Sequence, residues 1–120
     1  MSGKPFYVTT PIYYVNDKPH LGHAYTTVAT DAKARFHRLR GEAARMLTGT
    51  DEHGQKLEQA ALDAGKDTLT FAAENSEKFR ALWKKLNIQC DDYIRTTEER
   101  HKRGVQEIWR RVREVTPGVL

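Results

Sequence analysis

A chain of 120 residues carries one domain and not comfortably two. With 38% apolar and 30% charged residues and a mean hydropathy of -0.74, it reads as a well-hydrated globular chain, which excludes a fibre or a membrane protein. The net charge of +4 permits an anionic partner without requiring one.

The first expected element is a strand over Lys4–Ile12, rich in aromatic and β-branched residues and punctuated by Pro5 and Pro11. Tyr13-Tyr14-Val15 follows, then a turn at Asn16-Asp17-Lys18-Pro19. A helix is expected from Gly22, with Ala24, Val28, Ala32, Phe36 and Leu39 forming one apolar stripe. Arg38 and Arg40 suit its last turn and Gly41 its end. Ala43–Thr48 is a weak strand, interrupted by Arg45, that a strand–helix–strand unit requires at this place. Asp51-Glu52 can cap and open a second helix running through Ala64 to Gly65, with Leu57, Ala60, Ala61 and Ala64 on one face. A third helix spans Thr70–Leu86 on Phe71, Phe79, Leu82, Trp83 and Leu86, and Asp92–Arg95 is a short strand. Thr96-Thr97-Glu98-Glu99 has the form of a capping box for a last helix bearing Val105, Ile108, Trp109, Val112 and Val115. Thr116–Leu120 then reads as a loop leading onward. This order predicts an α/β fold with a parallel sheet and flanking helices.

The longest uncharged stretches, Pro5–Asn16 and Pro19–Thr30, fall short of the roughly 20 apolar residues of a membrane span, and Met1–Phe6 lacks the apolar region of a secretory signal. The single cysteine, Cys90, excludes an internal disulfide framework and a cysteine-only zinc site, and it suits a reducing cytoplasm.

The segment richest in chemistry is Pro11–His23, which links a strand to a helix N-terminus. Such a terminus offers unpaired N–H groups and a partial positive charge, both suited to phosphate. Gly22, having no Cβ, would let that backbone come close to a ligand. His20 and His23 would flank the same spot and donate hydrogen bonds to charge building on a transferring phosphoryl group. Two other readings stand beside this one. The pair could be ordinary loop histidines, or zinc ligands completed by His53 with Asp51 or Glu52.

Thr48-Gly49-Thr50-Asp51-Glu52-His53-Gly54 follows the second expected strand, at the carboxyl edge where α/β sheets bind ligands. Asp51 could hold an ammonium group there, or simply cap the next helix. Gly49 and Gly54 have the spacing of a P-loop start, but Gln55-Lys56 puts the lysine out of register.

Together, Thr9–Tyr25 and Leu47–Gly54 closely resemble the opening of methionyl-tRNA synthetases, which are class I aminoacyl-tRNA synthetases. His20-Leu21-Gly22-His23 is similar to their HIGH signature with Leu for Ile, and the likeness continues through Ala81–Ile88. The resemblance implies a Rossmann-like nucleotide-binding catalytic domain that activates methionine with ATP and Mg²⁺ and passes it to tRNA. It implies that His20 and His23 are catalytic and hold the ATP phosphates, with Asn16 and Gly22 shaping the ATP site. It further implies that Ile12 and Tyr14 line the methionine site and that Asp51 binds the methionine ammonium. The family's KMSKS lysine loop, its zinc-binding insertion and its anticodon-binding domain have no counterpart in these residues. Residues 1–120 are therefore expected to form the N-terminal half of the catalytic domain.

Three functional readings follow. The first is an ATP-dependent methionine–tRNA ligase or a portion of one. The second is a non-catalytic nucleotide-binding half-domain. The third is a nucleic-acid-binding fragment using Arg100–Arg113, where six of fourteen residues are Lys or Arg.

Overall fold

Proline cuts the first expected strand short, and the Tyr13-Tyr14 that follows it forms a strand of its own. In the computed structural model, which describes residues 4–116 and 118, β1 covers Phe6–Thr9 and β2 covers Tyr13–Tyr14. Thr10 N–H still donates to Leu47 O at 3.0 Å, but Pro11 has no N–H with which to continue the ladder. The remaining elements are α1 (Leu21–Leu39), β3 (Ala44–Asp51), α2 (Gln55–Asp63), α3 (Thr68–Lys85), β4 (Asp92–Arg95) and α4 (Glu99–Val115). Met1–Gly3, and Pro117, Val119 and Leu120 of the expected terminal loop, lie outside the described residues.

β3 is the strand on which the sheet is built. β1 pairs with Ala44–Leu47, β2 with Thr50–Asp51 and β4 with Leu47–Thr50, all in parallel. The segment expected to be a weak strand is thus the longest in the sheet. Strand propensity reflects packing and pairing more than side-chain type, and β3 has partners along its whole length. Gly49 is forced by close approach, since a Cβ there would lie 2.0 Å from Ile94 O on β4. Gly49→Ala is expected to push β4 off β3 and cost about 3 kcal/mol of stability in urea denaturation of the 120-residue chain; an unchanged midpoint would contradict that packing.

Tyr13, Val15, Leu57, Ala72, Phe79 and Trp83 form the buried apolar core, joining β2 and its following loop to α2 and α3. The Tyr13 hydroxyl reaches Thr27 Oγ1 on α1 at 2.9 Å while its ring lies 5.8 Å from Phe79 on α3, so one side chain ties both helices to the sheet.

The face that α1 packs inward differs from the expected one. Thr27, Asp31 and Ala34 are buried, whereas Val28, Phe36 and Leu39 of the apolar stripe are exposed. Asp31 is held inside because it accepts from Arg35 Nε at 2.6 Å and from Gln89 N–H at 2.9 Å. α4 behaves similarly. It buries no residue, and Val105, Ile108, Trp109, Val112 and Val115 all face outward. These two bare stripes accompany a flat molecule of 52 × 46 × 21 Å, whose radius of gyration is 17.1 Å. A compact domain of this length measures about 14 Å.

The expected capping box at Thr96–Glu99 does not form. The N-cap of α4 is Glu98, which makes no side-chain cap, because the Thr96 and Thr97 hydroxyls both serve Glu52. Three of the six basic residues in the Arg100–Arg113 run are engaged in ion pairs, Arg100 with Asp92 and Glu98 and two with carboxylates of α4 itself. Arg110 pairs with Glu107 and Glu114, and Arg111 with Glu107, whose carboxyl is pulled down to about 2 by hydrogen bonds from Arg110 and then Arg111. Among the described residues, no helix is long and apolar enough to cross a membrane.

Candidate functional site

His20 and His23 cap α1 with each other. The Gly22 N–H donates to His20 Nδ1 at 3.1 Å, and the His20 N–H donates to His23 Nδ1 at 3.1 Å. This is the reciprocal logic of a capping box built from two imidazoles, with the rings stacked 3.7 Å apart. Because each Nδ1 accepts, the neutral rings carry their protons on Nε2. Two Nε2–H donors are therefore available to a ligand at the positive end of a 19-residue helix.

A Cβ on Gly22 would sit 2.9 Å from His20 Cε1, so the glycine also makes room for the His20 ring. His23 is braced from behind, edge-on to Tyr13 at 4.9 Å and to Phe79 at 5.0 Å. Burial, and then the neighbouring His20, hold its pKa below the ordinary imidazole value of 6.5. The folded state thus favours neutral His23. Its contribution to stability is complete above pH 6.5 and is lost as acidification passes the unfolded and then the folded pKa. An NMR titration of the His23 ring is expected to give a midpoint below 6.5, with the stability difference between the parent and His23→Gln shrinking toward pH 5; a midpoint at or above 6.5 would contradict this environment.

Ile12, Tyr14, Asn16, His20 and His23 line one groove, of about 380 Å³. Tyr14 and Asn16 also line a neighbouring cavity of about 540 Å³, together with Asp51, His53, Gln55 and Lys56. All the expected site residues except Gly22, which lies within the histidine cap, therefore border two adjoining hollows at the carboxyl end of the sheet. Asp51 does not cap α2. It is still paired with Tyr14 at the end of β3, and its Oδ1 accepts from His53 N–H at 3.3 Å. The helix opens later, at Gln55, after Gly54 with φ 123°, a backbone conformation that favours glycine. The half-buried Asp51 carboxylate is left facing the larger cavity.

The sequence reading gave no ligand role to His53 beyond the zinc alternative, and none to Gln55 or Lys56. Their signal was position, directly after a strand end and within the first turn of a helix. The zinc alternative does not fit the geometry: among the described residues, no group of three His, Cys, Asp or Glu side chains converges on one point. Glu52, expected only to open the second helix or complete a zinc site, lies before α2 and points inward. It is a fully buried carboxylate, salt-bridged to Arg95 at 2.7 Å.

A parallel sheet whose first helix opens on His-Leu-Gly-His, with a carboxylate at the central strand's end, is the fold shared with solved class I tRNA synthetases. Mycobacterium tuberculosis methionyl-tRNA synthetase bound by methionyl-adenylate superposes with a TM-score of 0.88 at 53% identity, over 90% of this chain and 21% of that one. Agrobacterium radiobacter LeuRS, in a complex with tRNA and LeuAMS, has a TM-score of 0.80 at 21% identity and shares the fold alone. The family model described as tRNA synthetases class I (M) matches residues 6–116. Rickettsia bellii methionine–tRNA ligase is 56% identical over 107 residues, which are 89% of this chain and 21% of that protein. The Halalkalibacterium halodurans protein of the same name is 59% identical over 106 residues, 88% of this chain and 16% of that protein. The chain belongs to the methionine group of the class I tRNA synthetases. It spans about a fifth of the length of these relatives.

Proposed function

We propose that this chain is the N-terminal half of the catalytic domain of a cytoplasmic methionine–tRNA ligase, and that its two hollows hold ATP and L-methionine side by side. The observation that carries this reading is that His20 and His23, whose Nδ1 atoms are taken up by the α1 cap so that Nε2 is left to donate, line a groove that shares Tyr14 and Asn16 with the cavity of Asp51. A carboxylate at the cavity wall suits the methionine ammonium. Tyr14, 65% exposed and bordering both hollows, offers apolar surface to the thioether side chain, and Ile12, 41% exposed, extends it from the adjoining groove. Asn16, bordering both hollows, is placed to orient the nucleotide against the amino acid, and Gly22 keeps the His20 ring in its capping position.

The methionine carboxylate oxygen attacks the α-phosphorus, a new P–O bond forms, and the bridging bond to pyrophosphate breaks. Negative charge moves onto the leaving phosphates, where the histidine donors and the α1 dipole stabilise it. Mg²⁺ enters with ATP as part of the substrate and shares that charge. The ribose hydroxyl at the tRNA 3′ end then attacks the methionyl carbonyl and AMP leaves. Positioning and charge stabilisation dominate such phosphoryl and acyl transfers. The residues described here do not fit the family's zinc site, and no step is assigned to zinc.

The deciding experiment is methionine-dependent ATP–pyrophosphate exchange by the full-length protein containing this segment. Exchange that requires methionine, and that other amino acids fail to support, is the expected result. Nucleotide binding without exchange would instead support the non-catalytic half-domain.

A further inference from the structure

Glu52 is a buried charge that the proposed reaction does not use. Its side chain is 0% exposed, and four donors converge on its carboxylate. Arg95 donates twice, Nε to Oε1 at 2.7 Å and Nη2 to Oε2 at 3.0 Å. Thr50 Oγ1 donates to Oε1 at 2.9 Å, and Thr97 Oγ1 donates to Oε2. The Glu52 backbone N–H adds a fifth tie, to Thr96 Oγ1 at 2.8 Å. Burial pushes the carboxyl pKa up, and the bonds from Arg95, Thr97 and Thr50 more than reverse this, so Glu52 stays ionised. A buried ion pair gains the fold little that a well-packed apolar pair would not supply. What this one does supply is direction.

Glu52 lies between Asp51 and His53, two of the residues that line the larger cavity. In extended backbone, successive side chains point to opposite sides, so an inward Glu52 turns both Asp51 and His53 outward. The opposite edge of this strip is held by the pairing of Asp51 with Tyr14, and His53 Nε2 lies 3.4 Å from Thr96 O. We infer that the Glu52–Arg95 pair, with Thr97, is a positioning clamp that aims the Asp51 carboxylate at the amino-acid ammonium and so sets methionine affinity. This rests on the ammonium role proposed for Asp51, with Glu52 acting through Asp51 and not on substrate.

The test uses the full-length enzyme and the exchange assay, with thermal unfolding measured alongside. Glu52→Gln keeps shape and loses the charge, while Thr97→Val removes a single bond and keeps the proposal testable if the first variant fails to fold. Glu52→Gln is expected to raise the methionine KM on the order of tenfold, and Thr97→Val about threefold, with the ATP KM within about twofold of the parent. In an Asp51→Asn background neither change should raise the methionine KM further, because residues acting as one unit are not additive. If Asp51→Asn weakens methionine binding while Glu52→Gln and Thr97→Val only lower the unfolding temperature, the clamp is structural and the inference is overturned. Full additivity with Asp51→Asn would overturn it too. If Asp51→Asn itself leaves the methionine KM unchanged, the ammonium role fails and takes the inference with it.

Discussion

His23→Ala in the full-length enzyme is expected to slow methionine-dependent ATP–pyrophosphate exchange by on the order of a hundredfold while leaving methionine affinity near that of the parent. Removing one preorganised donor to charge that develops in the transition state costs on the order of 3 kcal/mol, which corresponds to that factor. The structure also gives His23 a second task, since its Nδ1 accepts the His20 N–H at the start of α1. Alanine loses both. Glutamine at the same helix position can make the reciprocal capping bond, yet it does not place an N–H where Nε2 stands. His23→Gln should therefore recover most of the thermal stability lost in His23→Ala and little of the exchange rate. Exchange within about threefold of the parent in either variant would remove the phosphate role from His23.

Asp51→Asn is expected to weaken methionine binding by about a hundredfold or more, with ATP affinity nearly unchanged. Asparagine preserves the shape and can still accept the His53 N–H, so the strand end should keep its conformation. Only the charge opposite the ammonium is gone. Stranding one member of a buried ion pair costs about 3–5 kcal/mol, and half-buried Asp51 belongs at the lower end because water reaches it. Capping offers no competing explanation, since α2 begins beyond Asp51 at Gln55 with Gly54 as its N-cap. Calorimetric titration of methionine into both proteins decides the matter, and equal affinities would refute the ammonium role.

Ile12, Tyr14, Asn16, His20, His23 and Asp51 were legible because strand–loop–helix junctions carry their chemistry in short contiguous runs, whereas Gln55 and Lys56 were not. Pro11–His23 and Thr48–Gly54 each lie at a strand's carboxyl end, and a parallel sheet brings such ends together at one edge. The local helix stops at Gly41 and Gly65 were equally direct, both having positive φ. The end of α3 also falls within one residue of the expected Leu86, although the left-handed residue there is Asn87 and not glycine.

The sequence by itself determined the order of elements, the two motif segments and most of the candidate site residues. These depend on periodicity, turn chemistry and contiguous pattern, which act over a few residues. The tertiary structure decided which side of each element faces in. Periodicity on α1 shows that two faces differ but not which of them meets the sheet, and Asp31 packs inward because Gln89, 58 positions away, supplies its partner. It also decided how the polar groups were spent. Thr96 and Thr97 have the pattern of a helix cap, and only the approach of β3 to β4 brings Glu52 to them instead. A buried carboxylate must be satisfied before an exposed helix end, because the desolvation cost of leaving it unpaired is far larger than the roughly 1 kcal/mol of a cap. That ranking is set by burial, which no local reading of the chain contains.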